Sequence, residues 1–283
     1  MLKPSTERLD YSELLSPPPG FVTEYAVGTT YSLDLDALIG VSLALGLSES
    51  IDGELFDTPV CLLNALTKTA DKLVLFAQGG QIQVPASAGP LHSLLDKMVF
   101  EVTLRKKRSF HPKLWLVKYA GTGHEQGHTH YRLLILSRNL TFDRSWDVAV
   151  CLEGKPHKKA HEKNYPLQDF FRFLLSWLKT GDKNAAEKRK ILHAAIREIP
   201  NICFELGNTR FSDFSFCPVG VSDSSNNTYS MESSTLFEKY DELFVISPFL
   251  SASGNGKNRN PIDLLNASGR PNSDKTLITR RSE

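Results

Sequence analysis

The fold is decided by two stretches of the sequence, FHPKLWLVKY at residues 110–119 and YRLLILSRN at residues 131–139. Each is a mostly apolar run of strand length, which predicts two neighbouring strands joined by a hairpin. Strand-like and helix-like segments alternate along the rest of the chain, and this rhythm predicts an α/β sandwich. The predicted helices span residues 34–47, 58–70, 90–98, 166–179 and 182–199, and the remaining strands span residues 25–32, 72–77, 99–104 and 147–153.

Polar side chains stand at one end of each of the two stretches. His111 and Lys113 are two residues apart, as are Ser137 and Asn139, so each pair is expected on one face of its strand. A lysine ammonium, an amide N–H and a hydroxyl suit the oxygens of a phosphodiester. A neutral imidazole can attack phosphorus and form a phosphohistidine that water later hydrolyses, while a second histidine protonates the leaving oxygen. The pattern therefore predicts a phosphodiester-cleaving site that uses no metal and no cofactor.

These residues resemble the half-site of the phospholipase D superfamily, which is His-x-Lys followed after a spacer by Gly-Ser-x-Asn. The similarity covers roughly residues 20–155 and part of the chain after residue 155. Within it, Thr29–Asp34 looks like the opening strand of the nuclease-type members, and Leu140–Asp147 looks like the segment after their asparagine. The resemblance is strongest to tyrosyl-DNA phosphodiesterases and to prokaryotic restriction or defence nucleases. It implies a phospholipase D-like mixed sheet flanked by helices.

Two departures from the superfamily pattern bear on the substrate. Leu136 replaces the glycine before the serine, and Lys118 replaces the aspartate often found five residues after the lysine. The tyrosyl-DNA phosphodiesterase branch also lacks that aspartate, so the departures argue against a lipid-cleaving enzyme more than against a nuclease. The resemblance also implies that Asp147 accepts the ring N–H of a catalytic histidine and so fixes its orientation.

The superfamily builds its site from two half-motifs, and this chain shows one His-x-Lys joined to a Ser-x-Asn. Residues 241–250 look like a second opening strand, and residues 277–280 resemble the strand at 73–76. We expect either a fragment of a longer protein, which we favour, or a homodimer that completes the site. The predicted domains are an N-terminal tail at 1–20, a first half at 21–206, a polar linker at 207–234 and the start of a truncated second half at 235–283.

The net charge of +1 decides little, whereas local basic residues suggest a nucleic-acid partner. We expect four of these basic residues, named below, to contact the phosphate backbone of DNA. A run of basic residues is at least as often a solvated loop without a nucleic-acid partner. Lys155, Lys158, Lys159 and Lys163 form a second basic cluster with the same two interpretations. The four expected contacts are Lys106, Arg108, Arg138 and Arg144.

Composition and processing signals point to a soluble protein of the cytoplasm. The chain has 283 residues, of which 41% are hydrophobic and 23% charged, enough for a substantial core. We see no apolar leader in residues 1–20, and the four cysteines show no Cys-x-x-Cys spacing. We therefore expect a cytoplasmic location and no membrane partner.

A zinc-protease interpretation competes through the string HEQGH at residues 124–128. Its two histidines share a metal only on a helix, and glycines precede and interrupt the string. We predict a hairpin loop at residues 121–130 instead. The favoured hypothesis is thus a metal-independent DNA phosphodiesterase or nuclease, in which His111 is either nucleophile or acid. The alternatives are a nucleic-acid-binding half without catalysis and a phospholipid phosphodiesterase.

Overall fold

The computed structural model describes residues 11–46, 59–86, 89–105, 108–142, 147–179, 183–207, 211–231, 238–247 and 261–280. The chain forms two compact units, Met1–Ser215 and Phe216–Glu283. Within the described residues, no helix combines the length and apolar character needed to cross a membrane.

The first unit alternates strands and helices. Its helices are α1 (Tyr11–Leu15), α2 (Leu35–Gly46), α3 (Pro59–Lys72), α4 (Pro90–Leu95), α5 (Tyr165–Ser176) and α6 (Lys183–Glu198). Its strands are β1 (Phe21–Thr30), β2 (Leu33–Asp34), β3 (Leu73–Gln78), β4 (Ile82–Gln83), β5 (Val99–Val102), β6 (Leu114–Gly121), β7 (Thr129–Leu136), β8 (Ala149–Pro156) and β9 (Ile202–Glu205).

Seven of these strands form one mixed sheet in the order β5-β3-β1-β6-β7-β8-β9. β1, β3 and β5 are parallel, because helices connect them, whereas β6 to β9 pair antiparallel. β3 reads LVLFAQ and is almost completely buried, as expected for a parallel strand covered on both faces. The predicted α/β fold, a mixed sheet flanked by helices, is confirmed. The predicted helix at 90–98 is shorter and ends at Leu95.

A glycine and a tryptophan fit together at the centre of the sheet. Gly28 on β1 lies opposite Trp115 on β6, and the Trp115 side chain is only 1% exposed. A Cβ atom added at Gly28 would lie 2.5 Å from the indole ring, closer than real Cβ atoms approach. The absence of a side chain at Gly28 therefore lets the indole pack across the middle of β1.

The predicted tail, residues 1–20, differs from the structure in its second half, since residues 11–20 belong to the folded first unit. Leu15 is fully buried, and the Tyr119 hydroxyl donates to its carbonyl oxygen over 3.1 Å. The indole N–H of Trp115 donates to the Tyr11 hydroxyl, and Arg132 donates to the Leu14 carbonyl over 2.8 Å. The apolar residues of α1 thus cover one face of the sheet. Residues 1–10 lie outside the described residues.

The boundary between the units follows Ser215, inside the predicted linker at 207–234. Part of that linker is an ordered turn, because the Asp223 carboxylate accepts backbone N–H groups from Ser225 and Asn227, each over 2.8 Å. The Tyr229 N–H also donates to the Val221 carbonyl over 2.8 Å. The Asp223 side chain thus stabilises its own turn, as Asp and Asn side chains commonly do.

The second unit contains two parallel strands, β10 (Tyr240–Ile246) and β11 (Gly269–Ile278), connected through α7 (Pro261–Ser268). This strand-helix-strand order repeats the relation between β1 and β3. The strand predicted at 241–250 corresponds to β10, but residues 248–250 lie outside the described residues. The segment predicted at 277–280 covers the last two residues of β11, Leu277 and Ile278, and the two residues that follow that strand.

Candidate active site

Two threonines bring the predicted site loops to the same edge of the sheet. The Thr29 hydroxyl accepts the N–H of Leu114 over 3.0 Å, and the Thr30 hydroxyl accepts the N–H of Leu140 over 2.9 Å. The N–H of Leu136 also donates to the carbonyl of Lys113 over 2.9 Å. These bonds fix the segments before β6 and after β7 beside the carboxyl end of β1. Sequence reasoning did not single out either threonine.

His111 and Lys113 lie side by side, as predicted, although they precede β6 rather than belonging to it. The Lys113 ammonium lies 3.0 Å from Nδ1 and 3.4 Å from Nε2 of His111, and it donates to the His111 carbonyl over 3.1 Å. Lys113 is only 8% exposed, whereas His111 keeps an exposed surface. Gln78 holds the start of this segment, because its side-chain oxygen accepts the Phe110 N–H over 2.6 Å.

The surroundings of His111 favour a neutral imidazole. Partial burial, and after it the charge of Lys113, lower the pKa of His111 below its ordinary value of 6.5. Burial also lowers the pKa of Lys113, and the carboxylate of Asp147 opposes that effect. At neutral pH the imidazole is therefore unprotonated, which suits a nucleophile or a base rather than an acid.

The carboxylate of Asp147 contacts two other polar residues of the site. Its Oδ1 accepts the hydroxyl proton of Ser137 over 2.8 Å, and its Oδ2 lies 3.6 Å from the Arg138 guanidinium. Within the described residues, the ring nitrogens of His111 contact Lys113 rather than Asp147. The register explains the contact between Asp147 and Ser137, because the Ser137 N–H donates to the Val148 carbonyl and so aligns the segment before β8 with the end of β7.

The same bonds change the expected role of Ser137. Its hydroxyl has one proton, which goes to Asp147, and it accepts the Val148 N–H over 2.9 Å. Ser137 therefore connects two loops instead of presenting a donor to a phosphate. Arg138, expected on DNA, donates to the Thr141 carbonyl over 3.0 Å in addition to its contact with Asp147.

Asn139 is the polar group of the site that is left without a partner among the described residues. Its Oδ1 is buried and accepts no hydrogen bond from them. An unsatisfied buried polar atom costs about 1–3 kcal/mol. This oxygen can only accept a hydrogen bond, so a phosphate would bond to the amide N–H groups instead. The flanking backbone is fixed, because the Asp34 N–H donates to the Leu140 carbonyl over 2.8 Å.

Tyr31 is a site residue that sequence reasoning missed. Its ring centroid lies 4.7 Å from that of His111, with the ring planes tilted by 47°. The available signal was positional, since Tyr31 directly follows β1 at the edge where the two loops meet. An aromatic ring at such a strand end was a reasonable candidate for contact with the histidine.

The predicted basic contacts are placed only in part. Arg108 is exposed three residues before His111, and Lys106 and Arg144 lie outside the described residues. The cluster at residues 155–163 lies at the opposite end of β8, about 25 Å from the site at ~3.3 Å per residue. This cluster contains two literal His-x-Lys strings, HKK at residues 157–159 and HEK at residues 161–163. Within the described residues, neither string is followed by a strand that ends in Ser-x-Asn.

The string at residues 124–128 lies in the loop between β6 and β7, as predicted. Gly123–Glu125 is a single 3₁₀ turn, and His128 Nδ1 lies 2.9 Å from the Glu125 carboxylate. The two histidines therefore lack the helical spacing of a zinc protease. Across the described part of the chain, His, Cys, Asp and Glu side chains form no group of three that could hold a metal ion.

No family model and no curated protein matches the sequence. Among solved structures, yeast tyrosyl-DNA phosphodiesterase is 14% identical, with a TM-score of 0.35 over 64% of this chain and 35% of that chain. Polyphosphate kinase from Porphyromonas gingivalis is 11% identical, with a TM-score of 0.28 over 59% of this chain and 23% of that chain. The match thus spans about a third of the yeast enzyme's length, and likeness at this level assigns neither a family nor an activity.

Proposed function

We propose that the chain is one half of a phosphodiesterase of the phospholipase D superfamily that cleaves DNA in the cytoplasm through a phosphohistidine intermediate. The observation that carries the proposal is the neutral, accessible imidazole of His111 beside Lys113. The side-chain amide of Asn139 follows β7 at the same sheet edge, and its N–H groups can donate to phosphate oxygens.

The proposed reaction has two displacements at phosphorus. A ring nitrogen of His111 forms a bond to phosphorus, and the bond from phosphorus to the leaving oxygen breaks with its electron pair on that oxygen. A histidine of a second half-site gives the leaving oxygen a proton. Water then attacks phosphorus and gives its proton to that second histidine, while the phosphorus–nitrogen bond breaks and restores His111. The sequence of steps uses no metal ion.

The phosphate-binding groups in this half-site are Lys113 and Asn139. The ammonium offsets the charge of the non-bridging oxygens, and the amide N–H donates to them. Asp147 and Ser137 support the site without contacting the phosphate, because their hydrogen bond holds the segment that carries Asn139. We further propose that Arg108, with Lys106 and Arg144, contacts neighbouring phosphates of DNA, and that Arg138 serves mainly to hold Asp147.

A complete site needs a second histidine for the leaving oxygen. We propose that a second His-x-Lys half supplies it, either from further sequence of a longer protein or from a second copy of this chain. Cleavage by the chain alone at concentrations where it is a dimer would favour the second copy. Cleavage only by a longer protein would favour the first source.

The test is cleavage of end-labelled DNA in EDTA by the chain, by His111→Ala and by the matched control His128→Ala. His128 is an exposed histidine of the β6–β7 loop, so its loss leaves the site intact. We expect EDTA-resistant cleavage, by the chain as a dimer or by a longer protein that contains it, which His111→Ala abolishes and His128→Ala preserves. A phosphorylated protein isolated after acid-free denaturation, and absent from His111→Ala, would identify the intermediate. EDTA-sensitive cleavage that does not depend on His111 would exclude the proposed mechanism.

A second candidate function is nucleic-acid binding without catalysis. The commitment of the Ser137 proton to Asp147 favours it, because the half-site then offers the phosphate fewer donors. It predicts that wild type and His111→Ala bind labelled DNA equally and that neither the chain nor a longer protein cleaves it. Fluorescence anisotropy at several salt concentrations would measure that binding.

A further inference from the structure

His111 has an aromatic partner at the end of β1. The ring of Tyr31 lies 4.7 Å from the His111 ring, while the carboxylate of Asp147 accepts from Ser137 and contacts Arg138. The Tyr31 ring is therefore placed to orient His111 and to compensate the charge that it acquires during attack.

Nucleophilic attack turns a neutral imidazole into a positively charged phosphoimidazolium. The ammonium of Lys113, 3.0 Å from Nδ1, opposes that change. An aromatic face within about 6 Å attracts a cation through its quadrupole, and the distance between Tyr31 and His111 is inside this range. The Tyr31 ring thus offsets part of the repulsion from Lys113 once charge develops.

The turn that carries Tyr31 is itself anchored beside His111. Residues 108–113 belong to no helix or strand, and the backbone hydrogen bonds described for this segment hold Phe110 and Lys113 rather than the imidazole ring. Tyr31 follows β1 directly, and the neighbouring Thr30 is fixed by its bonds to Leu140 and to the Ser32 carbonyl. A ring carried by this anchored turn limits the positions that the imidazole can take.

We propose that Tyr31 is the positioning residue of the site, holding the His111 imidazole against Lys113 and stabilising its positive charge through the aromatic face. This inference rests on the proposed function for its kinetic consequence, but its effect on His111 is independent of any activity. The aromatic ring is the required group. The Tyr31 hydroxyl makes no hydrogen bond within the described residues, so phenylalanine replaces tyrosine without loss.

The first test is an NMR titration of His111 in wild type, Tyr31→Phe and Tyr31→Leu, with the His111 signal assigned by its loss in His111→Gln. If the aromatic face stabilises the imidazolium, Tyr31→Leu lowers the pKa of His111 further and Tyr31→Phe leaves it unchanged. If Tyr31 acts only by excluding water, Tyr31→Leu leaves the pKa unchanged or raises it, which overturns the proposal. Lys113 is the charged group that the described residues place against His111, and it is present in all three proteins.

The second test separates this proposal from the proposed function. Where the protein cleaves DNA, Tyr31→Leu lowers kcat by roughly twofold to thirtyfold with KM nearly unchanged, and Tyr31→Phe restores kcat. An equal loss in both variants would overturn the role of the ring. Where neither the chain as a dimer nor a longer protein that contains it cleaves DNA, the function proposed above fails, while the titration still decides what Tyr31 does to His111. Thermal unfolding of each variant controls for a general loss of structure.

Discussion

Replacing Gly28 by alanine should destabilise the protein, because the added methyl group enters space occupied by the Trp115 indole. The new Cβ would lie 2.5, 2.6 and 2.7 Å from three ring atoms of a side chain that is only 1% exposed. The indole has no solvent to move into, and β1 is fixed between β3 and β6. Overpacking of this kind costs about 1–3 kcal/mol, and more where neither partner yields.

The matched control is Gly40→Ala on α2. A Cβ at Gly40 meets nothing within 4 Å, and alanine is favoured over glycine in a helix by roughly 0.5–1 kcal/mol. The two substitutions are chemically identical, but their surroundings differ. We therefore expect Gly28→Ala to lower the stability and Gly40→Ala to raise it. At about 2–4 °C per kcal/mol for a chain of this size, Gly28→Ala should lower Tm by roughly 2–12 °C, and Gly40→Ala should raise it slightly.

Thermal and urea unfolding followed by circular dichroism would measure both variants. The double variant Gly28→Ala/Trp115→Leu isolates the clash, since the smaller leucine makes room for the methyl group. Its loss of stability should be smaller than the sum of the two single losses, by about 0.5–3 kcal/mol for residues in contact. Equal effects of Gly28→Ala and Gly40→Ala, or strict additivity in the double variant, would refute the packing argument.

The charges and hydrogen bonds of the first unit support three further predictions. Lys113→Met should raise the pKa of His111, because the ammonium that opposes protonation of the imidazole is gone. The acid limb of any His111-dependent activity should then move to higher pH. An unchanged NMR titration of His111 would contradict this prediction. Arg132→Met should lower the free energy of unfolding by about 1–3 kcal/mol, because the carboxylate of Glu153 and backbone carbonyls at the end of α1 lose their donor. Arg132→Lys should restore part of that stability, and urea unfolding would measure both variants. Burial raises the pKa of Cys151 to about 12, so this thiol should resist alkylation by iodoacetamide in native protein at pH 8. Peptide mass spectrometry would measure the labelling, and rapid labelling would argue against burial of the thiol.

The sequence predicted the central hairpin well because apolar runs of strand length dominate it. The strands expected near 113–119 and 131–137 are β6 and β7, and their pairing brings the carbonyl of Lys113 to the N–H of Leu136. The closeness of the two polar motifs follows from that pairing, and the hydroxyls of Thr29 and Thr30 hold both segments beside β1. Local pattern was therefore sufficient to place the backbone of the site.

The partners of individual side chains depend on register and could not be predicted in the same way. Asp147 reaches Ser137 because the segment before β8 aligns Val148 with the end of β7. A shift of one residue would turn the Asp147 carboxylate to the other face of the sheet, and no pattern in the sequence excludes that shift. The position of Tyr31 against His111 likewise depends on the pairing of β1 with β6, which are far apart in sequence.

The N-terminal segment was predicted as a tail because the prolines and glycine at residues 17–20 dominated its interpretation. The spacing of Tyr11, Leu14 and Leu15 is that of an apolar helix face, and this signal was present in the sequence. The polar contacts that hold the helix come from β6 and β7 side chains such as Arg132. They are tertiary, so only the helix itself was open to prediction.

The distribution of charge around His111 suggests what kind of substrate the half-site requires. Lys113 is nearly buried and cationic, and within the described residues the nearby carboxylate, Asp147, is bound to Ser137 and Arg138 instead of the imidazole. Attack by His111 would add a second positive charge beside the first. The single negative charge of a phosphodiester offsets part of this positive charge, whereas a neutral substrate offsets none of it. The half-site is thus better matched to a phosphate group than to an uncharged ester, and salt should weaken its substrate binding more than its chemical step.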